Sequence, residues 1–251
     1  MLNYKVYPNE STDKWVVFVH GLGGSILTWK KQVLPFQEKY NLIMIDLPGH
    51  GKSQTERQVS VSSVNDKIKE VLDKENIKQA DFVALSLGTL VTAHFAIKYP
   101  EYVKSIIFGG ATLKILGKYK KLLKFVQKIK RLVPHRLLYK VFAVVIMPMK
   151  NHAKSRQIFV RESLKLRKEI FMDWLDYLFE IVHPDSMLEK LRKTNKRILF
   201  ITGDEDFCFI KGTEAACKKI KGRWNVIKKC GHVCSIEKGK EFNKLALNCL
   251  A

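Results

Sequence analysis

The chain has 251 residues, 46% hydrophobic and 27% charged, with a mean hydropathy of −0.12. That describes a globular protein long enough for one sizeable core. The longest apolar stretch, "VFAVVIMPM" at 141–149, is too short for a bilayer crossing, which needs about 20 residues. The net charge of +21 excludes an acidic, solvating chain and raises the question of what a basic surface meets.

The first fifteen residues, "MLNYKVYPNESTDKW", hold no apolar segment and no small-residue cleavage site, so no secretory signal is expected. "WVVFVH" (15–20) and "NLIMID" (41–46) read as strands, and "DFVALS" (81–86) and "SIIFGG" (105–110) have the same form. Continuous apolar runs of this length suit strands buried on both faces. Helical patterns lie between them. "VNDKIKEVLDKEN" (64–76) sets Val64, Ile68, Val71 and Leu72 on one face, and "LVTAHFAIKYP" (90–100) stops at Tyr99-Pro100. The alternation resumes with strands at 197–203 and 224–229 and helices near 210–221 and 238–249. This order predicts a mostly parallel, doubly wound α/β sheet.

Residues 113–190 break the rhythm. No clear strand is present, and "KILGKYKKLLKFVQKIKRLV" places Ile115, Tyr119, Leu122, Leu123, Val126, Ile129 and Val133 at helical spacing. Pro134 suits the start of a second helix, and "EIFMDWLDYLFEIV" (169–182) a further one ended by His183-Pro184. The expectation is a helical cap at 113–190 inserted into a core of 1–112 and 191–251. The charge is concentrated there: Leu113 to Lys168 holds seventeen basic residues and one acid, Glu162, which leaves only +5 for the rest.

Chemistry gathers at the predicted strand ends. Ser86 stands between a strand and a helix in "ALSLG", with Ala84 and Gly88 two places to either side. Small residues there let a strand and a helix pass closely around a lifted nucleophile, although a serine that merely caps a helix has the same local look. "FVHGLGGS" (18–25) ends another strand in a glycine-rich turn whose N–H groups can stabilise an oxyanion; Leu22 and Leu87 are the expected donors. A phosphate loop is the competing reading, but no lysine follows the glycines and the dinucleotide spacing is not met. "GDED" (203–206) and His232 follow the last two strands. Serine, acid, histidine in that order, each beyond a strand's carboxyl end, is the order of one type of triad.

These blocks resemble the α/β-hydrolase superfamily, in particular its small serine hydrolases with a helical cap. "HGLGGS", "DLPGHGKS" (46–53), "ALSLGT", "GDED" and "GH" (231–232) match its signature blocks in order. The resemblance implies Ser86 as nucleophile, Asp206 as acid and His232 as base; Asp206 is preferred over Asp204 because the family's acid stands three after the strand-end glycine, here Gly203. It implies loop-shaping roles for His20, Asp46 and His50. The departures are Ala84, where glycine is usual, and Phe207, where proline is frequent.

The expected activity is hydrolysis of a carboxylic ester, small to medium or lipid-like. The same triad serves thioesterases and C–C-bond hydrolases, and a non-catalytic ligand-binding or signalling protein of this fold is the alternative from another class. The pocket is expected to draw on Gly21, Phe142, Ile146, Met147 and Phe207, unless the cap residues among them are the cap's own packing. The five cysteines, all in the last fifth of the chain, read as free thiols of a cytoplasmic protein. "CGHVC" (230–234) lacks a second cysteine pair, so no metal is expected, and no cofactor is implied. The basic cap is either a solvated lysine face or a peripheral contact with an anionic membrane. No nucleic-acid partner is expected, because the basic residues are not interleaved with stacking aromatics. The sequence leaves the oligomeric state open.

Overall fold

The computed structural model describes residues 1–54, 59–163 and 165–250. In chain order its strands are β1 (Tyr4–Tyr7), β2 (Trp15–Val19), β3 (Asn41–Ile45), β4 (Ala80–Leu85), β5 (Val103–Gly109), β6 (Arg197–Gly203) and β7 (Arg223–Ile227). Its helices are α1 (Val33–Gln37), α2 (Val61–Lys74), α3 (Leu87–Lys98), α4 (Gly117–Ile129), α5 (His135–Ile146), α6 (Ala153–Ser163), α7 (Lys168–Leu178), α8 (Asp185–Lys193), α9 (Ile210–Ile220), α10 (Cys234–Glu237) and α11 (Gly239–Leu250).

The strands form one sheet in the order β1-β3-β2-β4-β5-β6-β7, parallel except for β1 against β3. The central strands β3 and β4 are buried at every residue, which is why they carry no polar alternation. Helices α2, α3, α8 and α9 pack side by side on one face, and α1 and α11 on the other. Helix α3 is apolar nearly all round because the sheet, α2 and α8 surround it. Helix α2 begins where the Ser60 side chain accepts from Ser63 N–H at 3.2 Å, and it buries Val64, Ile68, Val71 and Leu72.

The six strands expected between residues 15 and 229 are all present, each within two residues of its expected bounds. The edge strand β1 was not anticipated: it is four residues long and only half buried, so it leaves almost no apolar signature. Between β5 and β6 the chain leaves the sheet for a cap of α4 to α7, closed by the turn at Phe179–Val182. Helix α8 already packs on α3 and α9, so a boundary at residue 190 falls inside a core helix. No helix among the described residues is long and apolar enough to cross a membrane.

Candidate active site

The strand order reverses between β2 and β4, and a crevice opens beyond the carboxyl ends of the strands at such a point. Ser86 follows β4 and the 20–25 turn follows β2, so the two face each other there. Ser86 has φ 52° and ψ −124°, a backbone conformation that L residues rarely adopt. Its peptide is fastened on both sides. Its N–H donates to Gly109 O at 3.0 Å, and its carbonyl accepts from Thr89 N–H, Thr89 Oγ1 and Thr112 Oγ1 at 2.8, 2.6 and 2.9 Å. Gly88 makes the turn possible, since a Cβ there would lie 2.3 Å from Val19 O. Ala84 fits the other flank fully buried, so the departure from glycine at that place is accommodated.

Ser86 Oγ–H points at His232 Nε2, 2.8 Å away, and His232 Nδ1–H donates to Asp206 Oδ2 at 2.9 Å. The carboxylate only accepts, which assigns the imidazole proton to Nδ1 and leaves Nε2 free to take the hydroxyl proton. His232 and Asp206 are fully buried. The Phe209 ring lies 5.0 Å from the imidazole and limits its tilt. Asp204 serves differently: its Oδ1 accepts from Cys230 N–H and its Oδ2 faces Lys228.

The glycine turn is held by two buried histidines. Leu47 N–H donates to His20 Nε2 at 3.0 Å, and His20 Nδ1–H donates to Gly21 O at 2.7 Å. His50 Nε2 accepts from Gly23 N–H at 2.9 Å while its Nδ1–H donates to Pro48 O at 3.1 Å. Each ring thus needs one bare nitrogen, and burial pushes both imidazoles below their ordinary range, His50 far below. Asp46 accepts from Ile26 N–H and Lys52 N–H and so closes the base of the same turn. Among the described residues the Leu22 and Leu87 amides have no protein acceptor. Both flank the serine, as an oxyanion site requires.

Two cavities meet at this point, with Leu22 in the wall of both. One is apolar, bounded by α4, α5 and α7 together with Ile115, Cys208 and Phe209. Phe142 and Ile146 line it. The second contains Gly21 and Ser86 and is bordered by Lys30, Lys31, Arg161 and Glu162. Met147 and Phe207 line neither. Met147 is wholly buried, and Phe207 is 44% exposed, because the tight turn after Asp206 sends it outward and brings Phe209 in.

Several polar ties among the described residues join the cap to the core, none evident from the sequence. Tyr139 Oη–H donates to Leu22 O at 3.0 Å, Trp174 Nε1–H to Pro48 O at 3.1 Å, and Val59 N–H to Asp173 Oδ2 at 3.0 Å. The buried His152 sits 2.9 Å from Glu205, the neighbour of Asp206. Their partners are mostly backbone atoms distant in the chain, which periodicity does not report. All five cysteines are free and buried; burial and the nearby Asp206 push the Cys208 thiol up to about 12. Among the described residues no group of three or more His, Cys, Asp or Glu side chains is arranged to hold a metal ion.

The family model described as the alpha/beta hydrolase fold matches residues 14–137, which include the glycine-rich turn and Ser86. A 3-oxoadipate enol-lactonase of Acinetobacter baylyi is 30% identical over 115 residues, 45% of this chain and 43% of that one. A pimeloyl-[acyl-carrier protein] methyl ester esterase of Wigglesworthia glossinidia brevipalpis is 32% identical over 97 residues, 39% and 36% of the two chains. The matched stretch thus spans less than half of either relative. Solved structures align along the whole length. A carboxylesterase of Nitrososphaera gargenis does so with a TM-score of 0.80 at 20% identity, covering 99% of this chain and 93% of that one. The enol-lactonase of Burkholderia xenovorans has a TM-score of 0.80 at 15% identity, covering 99% and 96%. The sheet order, the inserted cap and the whole-length structural alignments agree with the family model over residues 14–137, and the chain has the α/β-hydrolase fold.

Proposed function

We propose that the protein is a serine hydrolase that cleaves carboxylic esters with an apolar acyl chain. The observation that carries this reading is the unbroken Ser86–His232–Asp206 hydrogen-bond chain beside two amides with no other acceptor. In the reaction His232 Nε2 takes the Ser86 proton as Oγ attacks the ester carbonyl carbon, and Asp206 holds the imidazolium that forms. The carbonyl oxygen gathers negative charge against Leu22 N–H and Leu87 N–H. Collapse of this intermediate expels the alcohol, which takes the proton back from His232. A water activated by the same imidazole then releases the acid and restores the serine. The apolar cavity suits the acyl half, and the Lys30–Arg161 cavity suits the alcohol half. The ester relatives support the chemistry at the level of the carbonyl bond cleaved.

The test is labelling of the folded protein with a fluorophosphonate, with the adduct located by mass spectrometry. Labelling at Ser86, lost in His232→Ala, is the expected result and leads to a panel of esters, thioesters and C–C substrates of graded chain length. A folded protein that takes no label at Ser86 overturns the reading in favour of a ligand-binding role.

A further inference from the structure

The outer face of the cap has a use that the hydrolytic chemistry does not supply. Seven of the twelve large hydrophobic side chains exposed among the described residues lie between Leu122 and Met149. On α5, Leu137, Val141 and Val144 recur at i, i+4 and i+7 and form one exposed stripe. On α4, Phe125 is 56% exposed, and Leu132 in the connecting turn is 84% exposed. Scattered exposed apolar residues are ordinary; a cluster on two adjacent helices marks an interaction surface. Cations border it. Lys121, Lys124, Lys128, Arg131, Arg136 and Lys140 are all exposed, and none has an acidic ion-pair partner among the described residues.

This face is continuous with the apolar cavity. Leu122 of α4 and Val141 of α5 line the cavity while each is exposed, at 40% and 52%, so they stand at its lip. Leu123 and Val126 on one side and Leu138, Phe142 and Val145 on the other carry the same wall inward toward Leu22. An apolar chain entering between α4 and α5 would meet no charged side chain on this wall.

We propose that the α4–α5 face docks on an anionic lipid surface, and that the acyl chain of a membrane-resident ester passes between α4 and α5 into the apolar cavity. The passage of substrate rests on the hydrolase reading; the docking does not. Lipid fits the face better than an acidic protein does. Lysines around an apolar centre match phosphate headgroups over hydrocarbon, and side chains such as Phe125 and Leu132 gain by leaving water for the acyl boundary. An acidic protein would satisfy the lysines and leave that apolar centre without a matching partner.

The experiment is co-sedimentation of the full chain with vesicles of phosphatidylcholine, alone or mixed with phosphatidylglycerol, at rising salt. The expected result is binding to the mixed vesicles that weakens with salt, and little binding to phosphatidylcholine alone. The triple variant Lys121→Gln, Lys124→Gln, Lys128→Gln should weaken mixed-vesicle binding on the order of 100-fold. Phe125→Ser with Leu132→Ser should weaken it at a salt concentration that screens the lysines. Equal binding to both vesicle types, no binding to either, or wild-type binding by the serine variant overturns the proposal. So does retention on an acidic soluble protein, such as an acyl carrier protein, without vesicle binding. Fluorophosphonate labelling of Ser86 is measured in the same preparations without lipid. It should be equal in wild type and in both variants, so a failure of the hydrolase reading shows there and a failure of docking shows only with vesicles. If both hold, the lysine variant should lose turnover of a long-chain ester embedded in vesicles while keeping that of a soluble acetyl ester.

Discussion

At Ser86 the sequence pays in backbone strain for a hydroxyl that stands clear of both strand and helix. A non-glycine residue at φ 52° and ψ −124° costs about 1–3 kcal/mol, held in place here by the bonds to Gly109, Thr89 and Thr112. A comparison of two variants at this position isolates that cost. Ser86→Ala and Ser86→Gly both lose the bond to His232, but only glycine relaxes the dihedral. Glycine also makes the unfolded chain more flexible, which offsets part of the gain. Ser86→Gly should therefore be the more stable by about 1 kcal/mol, or roughly 2–4 °C in Tm for a chain of this size. Equal melting temperatures in calorimetry would mean that the turn is not strained. The position of this serine was legible because an elbow needs small residues at 84 and 88, and that need leaves a mark in the sequence. Phe207 and Phe209 were not separable in that way. Both are aromatic and two places apart, and only the turn after Asp206 decides which one reaches His232.

The turn after β2 and the loop after β3 form the element that aims the Leu22 amide, and two neutral histidines hold it together. His20 and His50 each accept a backbone N–H, so a proton on either Nε2 breaks a bond that shapes the turn. Burial holds both imidazole values below the ordinary 6.5, His50 well below. Above pH 6.5 the folded and unfolded chains are both neutral at these sites, and stability is unaffected. As pH falls below 6.5 the unfolded chain binds protons that the folded one refuses, so stability is lost down to the depressed folded value. The loss is about 1.4 kcal/mol per pH unit for each such group within that window. His50→Asn removes one of the two, and its Tm should fall less steeply than that of the wild type between pH 7 and the acid range, each taken as approximate limits of the titration. Parallel curves would remove His50 from the account. The strands around this turn were readable because burial on both faces gives an unbroken apolar run; β1, half exposed and short, gives none. The histidines were noticed only through the family blocks, since nothing in a local pattern says that an imidazole accepts from a backbone amide 27 residues away.

For the molecule as a whole, the cap is fastened to the glycine-rich turn as well as lying over it. Tyr139 of α5 donates to Leu22 O, the carbonyl next to the free Leu22 amide, and its ring packs against Phe159 and Phe171 at 4.8 and 5.2 Å. Peptide planarity fixes the Leu22 carbonyl to Gly23 N–H, which donates to His50, so a hydrogen bond at that carbonyl adds a second restraint to the turn that carries the proposed oxyanion donor. Tyr139→Phe keeps the ring and its packing and removes only the hydroxyl. A buried hydrogen bond of this kind contributes about 1 kcal/mol, which corresponds to roughly a five-fold change in rate if it is expressed in the transition state. The expectation is a fall in kcat of that order for a short soluble ester, with KM nearly unchanged, because an amide aimed at the oxyanion matters little to the ground-state carbonyl. A rise in KM at constant kcat would instead confine Tyr139 to seating the cap over the substrate cavities. The two outcomes separate a cap that only encloses substrate from one whose seating on the core completes the oxyanion site, and in the second case any surface that presses on α5 also acts on the chemistry through this one hydroxyl.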